Sequence, residues 1–159
     1  MRVALCATAL LVYLPDACSA DICSTVRTVI TEAPDHFRNL TKENSFDAKF
    51  GEYVASLTMD GASYCTINDS RDSFSCSWEF NQDEMDRATK FSDSLREQLA
   101  PCLPAGTAAK DRSSAQRQSR STAFEDARDN LKITVSRWLW TSKRTRVQKW
   151  MVDVTVERN

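Results

Sequence analysis

The chain has 159 residues, 42% of them hydrophobic, and a formal net charge of −1, so it is long enough for one ordinary domain with a real core. Its three glycines argue against a glycine-rich phosphate-binding loop, and its single histidine, His36, leaves the usual Ser-His-Asp and Cys-His schemes dependent on one residue. Residues 21–106 contain 8 basic and 15 acidic side chains, whereas residues 107–149 contain 11 basic and 4 acidic ones. This asymmetry indicates either neutralisation across the fold or a basic patch that faces a partner.

Residues 1–20 have the pattern of a cleavable secretory signal. Arg2 precedes an apolar run of 12 residues, and small residues precede a predicted cleavage after Ala20. The run is shorter than the about 20 residues that a membrane-spanning helix needs. We therefore predict a single mature domain, residues 21–159, exported to the periplasm or secreted. The alternatives are a retained anchor and a lipid-modified Cys18.

Four cysteines follow the predicted cleavage site: Cys23, Cys65, Cys76 and Cys102. An even number in an exported chain favours disulfides, and four cysteines allow three pairings. Their spacing lacks the short ligand loops of structural zinc sites. We therefore predict neither a metal site nor a cofactor.

The mature domain is predicted to begin with a helix and a three-stranded meander. Apolar residues recur at helical spacing over residues 21–40, and Pro34 ends or kinks this helix. Alternating apolar residues follow, with the hairpin signal Asp60-Gly61 between the first two runs. The predicted strands cover residues 53–59, 62–68 and 73–80.

The turn between the second and third predicted strands sets their register. A four-residue turn over 69–72 places Cys65 directly opposite Cys76. Two cysteines opposed in this way are close enough for a disulfide if the local geometry permits it. By elimination, Cys23 then pairs with Cys102.

A second helix is predicted from Asn81, which forms an N-cap pattern with Glu84. Residues 104–122 follow. They are poor in apolar residues and rich in Ser, Gln and Arg, so we predict a flexible basic loop within the domain.

Two last strands, over residues 131–139 and 150–156, are predicted to form a hairpin with a turn at 141–144. This turn opposes Leu131 with Val154, Ile133 with Val152, and Val135 with Trp150. The predicted fold class is α+β: a disulfide-stapled antiparallel sheet of about five strands, in the order α-β-β-β-α-β-β, with two helices packed on one face.

The tip of the last hairpin carries the strongest functional signal, because tryptophans alternate there with cations. The residues are Arg137, Trp138, Trp140, Lys143, Arg144, Arg146 and Lys149. The predicted register puts Trp138 and Trp140 on the face opposite Leu131. Exposed Trp and Arg are typical of protein interfaces, and the mixture also suits an anionic membrane surface or single-stranded nucleic acid. Alternatively, the tryptophans cover the second face of the sheet, or they pack under the 104–122 loop with cation–π contacts to neighbouring arginines.

We therefore predict an exported, non-enzymatic binding protein of the inhibitor, immunity or accessory type, which engages an acidic partner protein through this hairpin. Export argues against nucleic acid as the partner, and no catalytic residue is assigned. The second hypothesis is a hydrolase that uses the carboxylates of Asp69, Asp72 or Glu79. The third is a protein that binds an anionic membrane surface through the same hairpin.

Two further features have a conventional interpretation. His36, beside Asp35 and Phe37, is typical of an isolated surface histidine. The sequons at Asn39 and Asn68 fall at predicted loops, where a glycan acceptor has to be accessible.

Overall fold

The computed structural model describes residues 17–158 except 106, 116, 117, 127 and 129, and for residues 17–21 it describes the backbone alone. The predicted signal peptide therefore lies outside the described residues, apart from residues 17–20, which belong to the first helix.

The described residues form two helices and seven strands, with short 3-10 turns between them. The helices are α1 (Ala17–Glu32) and α2 (Met85–Leu99). The strands are β1 (Glu52–Val54), β2 (Tyr64–Asn68), β3 (Ser73–Asn81), β4 (Ala108–Ser114), β5 (Ser119–Asp126), β6 (Leu131–Thr141) and β7 (Gln148–Arg158).

All seven strands pair antiparallel in one sheet of order β1-β2-β3-β7-β6-β5-β4. The strand that comes last in sequence, β7, lies in the middle between β3 and β6. Helix α2 packs on these three central strands, and α1 packs against α2. The predicted α+β class with an antiparallel sheet is confirmed.

The core lies between the helices and one face of the sheet. From β7, the side chains of Val152, Val154 and Val156 are completely buried, and Phe74 and Cys76 of β3 join them. Burial of such apolar side chains stabilises a fold by roughly 1.5–3 kcal/mol each. The alternating strand residues point to the opposite face, which the helices leave open.

The predicted strand number, about five, is wrong, because the segment 104–122 is not a loop. It contains all of β4 and the first part of β5. Nearly every residue of β4 is exposed, so its sequence carries no apolar alternation. Backbone pairing with β5 alone makes it a strand, and its charged residues are typical of a sheet edge.

Both predicted disulfides are confirmed. Cys65 and Cys76 face each other across β2 and β3, and Cys23 of α1 bonds to Cys102 just after α2. They fit an oxidising, extracellular environment. No helix of the described part of the chain is long and apolar enough to cross a membrane.

The first predicted hairpin is shorter than expected. β1 ends at Val54, and residues 55–63 form a loop rather than two more strand segments. This loop folds over the core: Met59 is buried, and the Trp78 indole donates a hydrogen bond of 3.1 Å to the carbonyl of Asp60.

The predicted register of the last hairpin is wrong by four residues. Leu131 pairs with Arg158 rather than Val154, Ile133 with Val156 rather than Val152, and Val135 with Val154 rather than Trp150. The reason is a longer connection, residues 142–147, which is closed by a hydrogen bond of 2.9 Å from Ser142 N to the Val147 carbonyl. Because the shift is even, every side chain keeps its predicted face.

The second helix starts later than predicted. Asn81 is the last residue of β3, and α2 begins at Met85 with Glu84 as its N-cap. The Glu84 carboxylate accepts a hydrogen bond of 2.8 Å from the backbone N–H of Asn81, which links strand to helix.

Candidate functional site

On the open face of the sheet, three polar side chains from the adjacent strands β3, β7 and β6 form a hydrogen-bonded triad. Trp138 of β6 donates its indole N–H to Asp153 Oδ2 at 2.5 Å, and Ser77 of β3 donates its hydroxyl to Asp153 Oδ1 at 2.7 Å. Both carboxylate oxygens of the β7 residue are thus occupied. This arrangement holds the Trp138 ring in one orientation.

Burial raises the pKa of Asp153 above its ordinary value, and the hydrogen bonds from Ser77 and Trp138 oppose this shift. Desolvation disfavours the charged carboxylate, whereas donors favour it, and the desolvation effect is the larger of the two. The charged Asp153 carboxylate therefore destabilises the fold, and its two hydrogen-bond donors offset part of that cost.

A polar depression of about 280 Å³ lies beside this triad. Hydroxyl and amide side chains line most of it, including Ser73, Ser75, Thr155 and Asn68. The hydroxyls of Ser75 and Thr155 are hydrogen-bonded to each other at 3.0 Å. These hydroxyl groups therefore already have hydrogen-bond partners within the sheet.

A larger cavity, about 620 Å³, lies where β6 outruns β5. The β5–β6 ladder ends at the pair Arg120–Arg137, whereas β6 continues beside β7 to Thr141. In the described chain, residues 138–141 thus have a strand partner on the β7 side only. The cavity is lined by Gln118, Ser119, Arg120, Ser121, Ser136, Trp138, Leu139 and Thr141.

The two predicted tryptophans lie on this open face. Trp138 is half-buried against Asp153, and Trp140, one register step nearer the tip, is 40% exposed. Trp138 is fixed and Trp140 is accessible.

The predicted cations separate into two groups. Lys143, Arg144 and Arg146 are exposed in the 142–147 loop and form no ion pair with any carboxylate of the described residues. Lys149, by contrast, is paired with Glu79.

Arg137 lies on the other face of β6, beneath helix α2. Its guanidinium group stacks over the Trp150 ring at 4.8 Å. Alternate residues of a strand point in opposite directions, so Arg137 lies on one face of β6 and Trp138 and Trp140 lie on the other.

The residues named for a hydrolase are spread over the sheet. Asp69 and Asp72 lie at the β2–β3 turn, and Glu79 lies on β3. His36 approaches Asp72, with 3.0 Å between Nδ1 and Oδ2, and Arg158 approaches the same oxygen at 3.4 Å. Sequence reasoning missed this contact because 36 residues separate the two side chains.

The sequon asparagines differ in their surroundings. Asn39 is exposed, and its amide donates to Glu32 at 2.7 Å. Asn68 is the last residue of β2, and its side-chain oxygen accepts hydrogen bonds from Ser70 and from the backbone of Arg71. Its side chain thereby closes the β2–β3 turn.

Asp153 is the residue of this site that sequence reasoning missed. A single acid in the alternating strand Trp150–Val156 was the available signal, because a charge at the centre of a sheet needs partners. Among the described residues, no three His, Cys, Asp or Glu side chains converge to hold a metal ion.

Comparison of the chain with models of known protein families, with curated proteins and with solved structures finds no match.

Proposed function

We propose that this chain is an exported, non-enzymatic binding protein that takes an acidic, extended segment of a protein partner at the tip of the β6–β7 hairpin. The observation that carries the proposal is the one-sided pairing of residues 138–141 beside a cavity of about 620 Å³, which Trp138, Leu139 and Thr141 help to line.

Strand addition explains how such an edge would bind. An unpaired strand edge offers a row of backbone N–H and C=O groups, and an extended peptide can pair with them. The cavity beside β6 provides room for that peptide next to residues 138–141, where β5 no longer pairs with β6.

Aromatic side chains supply the anchor. Trp140 is accessible on the open face, and Trp138 is already held by Asp153, so its ring loses little freedom when a partner binds. Tryptophan is enriched among the residues that dominate interface energies.

Charge favours an acidic partner. Lys143, Arg144 and Arg146 project from the loop next to Trp140 without ion pairs in the described chain. Such cations speed association with an acidic surface and select against basic ones.

The test is affinity capture with the disulfide-bonded protein from its own secreted or cell-envelope fraction, followed by affinity measurement with the purified partner. The variant Trp140→Ser/Arg144→Gln should bind at least about tenfold more weakly, because it loses one aromatic anchor and one cation. In the wild type, binding should slow amide hydrogen exchange at residues 138–141.

The matched control is Phe50→Ser/Lys49→Gln. It removes one exposed aromatic ring and one exposed cation from the loop before β1, where Lys49 lies over the Phe50 ring at 4.9 Å. Equal loss in both variants, or loss in the control alone, would contradict the proposal. Binding of the wild type to vesicles of anionic phospholipid, without retention of a protein, would favour a membrane surface instead.

A further inference from the structure

Two arginines face each other on adjacent strands, on the helix-covered face of the sheet. Arg120 of β5 and Arg137 of β6 are direct partners in the antiparallel ladder. Like charges directly opposed in this way destabilise a sheet unless an anion compensates them.

The anions nearby compensate this pair incompletely. Asp93 lies 3.8 Å from Arg120, but it is also bonded to Arg96. Asp111, 3.8 Å from Arg96, is the second carboxylate of the cluster. Three guanidinium groups thus share two carboxylates.

Arg137 has a further deficit. Its Nη1 atom is buried and has no hydrogen-bond partner among the described residues. Burial lowers the pKa of Arg137, the charge of Arg120 lowers it further, and Asp93 opposes the shift. An additional negative charge close to the two side chains would relieve this cost.

A cavity of about 400 Å³ lies at this point, between the start of α2 and the β4–β5 turn. Arg120 and Arg137 line it together with the hydroxyl residues Ser113 and Ser119, and Met85 and Trp150 form an apolar side. Its volume is in the range of small-molecule sites.

We infer that this cavity binds a small free anion with a carboxylate or phosphate group, held between Arg120 and Arg137. Planar guanidinium groups bind both oxyanions through paired hydrogen bonds, and the serine hydroxyls can donate to the remaining oxygens. A free anion fits better than a side chain of the proposed protein partner, because the cavity lies on the face of β6 opposite Trp140. The two cavities share Gln118, Ser119 and Arg120, whereas Met85, Arg137 and Trp150 line this one and not the other. The inference does not require the proposed protein partner.

The test uses the full disulfide-bonded protein with sodium phosphate and sodium acetate as probes, and sodium chloride at equal ionic strength as reference. We expect phosphate or acetate to raise the melting temperature more than chloride does. The anion that gives the larger increase is the preferred oxyanion. The variant Arg120→Gln should bind that probe at least tenfold more weakly by calorimetry.

The matched control is Arg112→Gln, which removes an exposed cation from the opposite face of β4, the neighbouring strand. It should retain the affinity of the wild type within about twofold, because general screening of charge acts on both variants alike. Equal effects of phosphate, acetate and chloride on the wild type would overturn the inference. So would a folded Arg120→Gln variant with unchanged affinity and a lower melting temperature, since Arg120 would then have a structural role only.

Discussion

At the scale of single residues, Asp153 connects stability with the arrangement of the candidate site. Its carboxylate lies on the central strand and accepts hydrogen bonds from Ser77 and Trp138. A half-buried acid of this kind lowers stability when it is charged. Its hydrogen bond fixes the orientation of the Trp138 ring.

Asp153→Asn should therefore change the pH dependence of stability. The pKa of Asp153 is raised in the folded state above the ordinary 3.8, so the unfolded state loses its proton first as the pH rises. In the wild type, this group makes the free energy of unfolding fall with rising pH from near 3.8 to the raised pKa, and the penalty is complete above it. The neutral variant lacks this component.

Urea unfolding at several pH values measures the effect. The stability of the wild type relative to Asp153→Asn should be greatest at the acidic end and should decrease as the pH rises. The exposed variant Glu43→Gln serves as control, and its profile should follow that of the wild type. Parallel profiles for all three proteins would show that Asp153 is not desolvated.

At the scale of elements, the strands differ in how firmly they are held. β7 has a paired neighbour on each side and four buried apolar residues on the core face, Trp150, Val152, Val154 and Val156. β4 is an edge strand whose side chains are almost all exposed. Local opening needs less free energy where few buried contacts are lost.

We expect β4 and β7 to differ in the rate of amide hydrogen exchange when the protein is free of any partner. The amides of β4 should exchange fastest among the strands longer than three residues, and those of β7 slowest, with β3 and β6 close to β7. Mass spectrometry of proteolytic fragments resolves the strands. Protection of β4 equal to that of β7 would mean that a further contact covers this edge.

Sequence reasoning succeeded for elements whose signal is local. The four-residue turn before Ser73 determined which residues of β2 and β3 oppose each other, and it placed Cys65 and Cys76 correctly. It failed where the connection was longer than the predicted four-residue turn, as in the 142–147 loop. It also missed β4, because pairing with β5 leaves no mark in the composition of an exposed strand.

The candidate site was predictable only in part, for the same reason. Alternation within β6 placed Trp138 and Trp140 on the face away from the core. The contacts with Asp153 and the free edge beyond Arg137 depend on which strands become neighbours and on where β5 begins. Neither is encoded within one segment of the chain.

At the scale of the whole molecule, the two disulfides of the described residues restrain different parts of the fold. Cys23–Cys102 joins α1 to the end of α2 across 79 residues, whereas Cys65–Cys76 spans 11 residues within the sheet. In the chain-entropy model, a disulfide stabilises by restricting the unfolded chain, and more so for a longer loop.

Replacing Cys23 and Cys102 with alanine should therefore lower the free energy of unfolding by about 4.5 kcal/mol, and replacing Cys65 and Cys76 by about 3 kcal/mol. Urea unfolding of the two double variants, with the wild type in the presence and absence of reductant, gives the comparison. A smaller loss for the Cys23/Cys102 variant than for the other would show that the helices are held mainly by packing.

The central position of β7 also determines when the sheet can be completed during synthesis. The ribosome makes β1–β3 and β4–β6 first, and each group can pair its strands only within itself, because β7 lies between β3 and β6 in the sheet. Until residues 148–158 emerge, the two groups expose the apolar faces that later form one core. Joining them demands contacts between segments far apart in sequence, such as Phe74 with Val156, and such contacts slow folding. The sheet thus stays divided into two groups of strands until the β7 segment arrives.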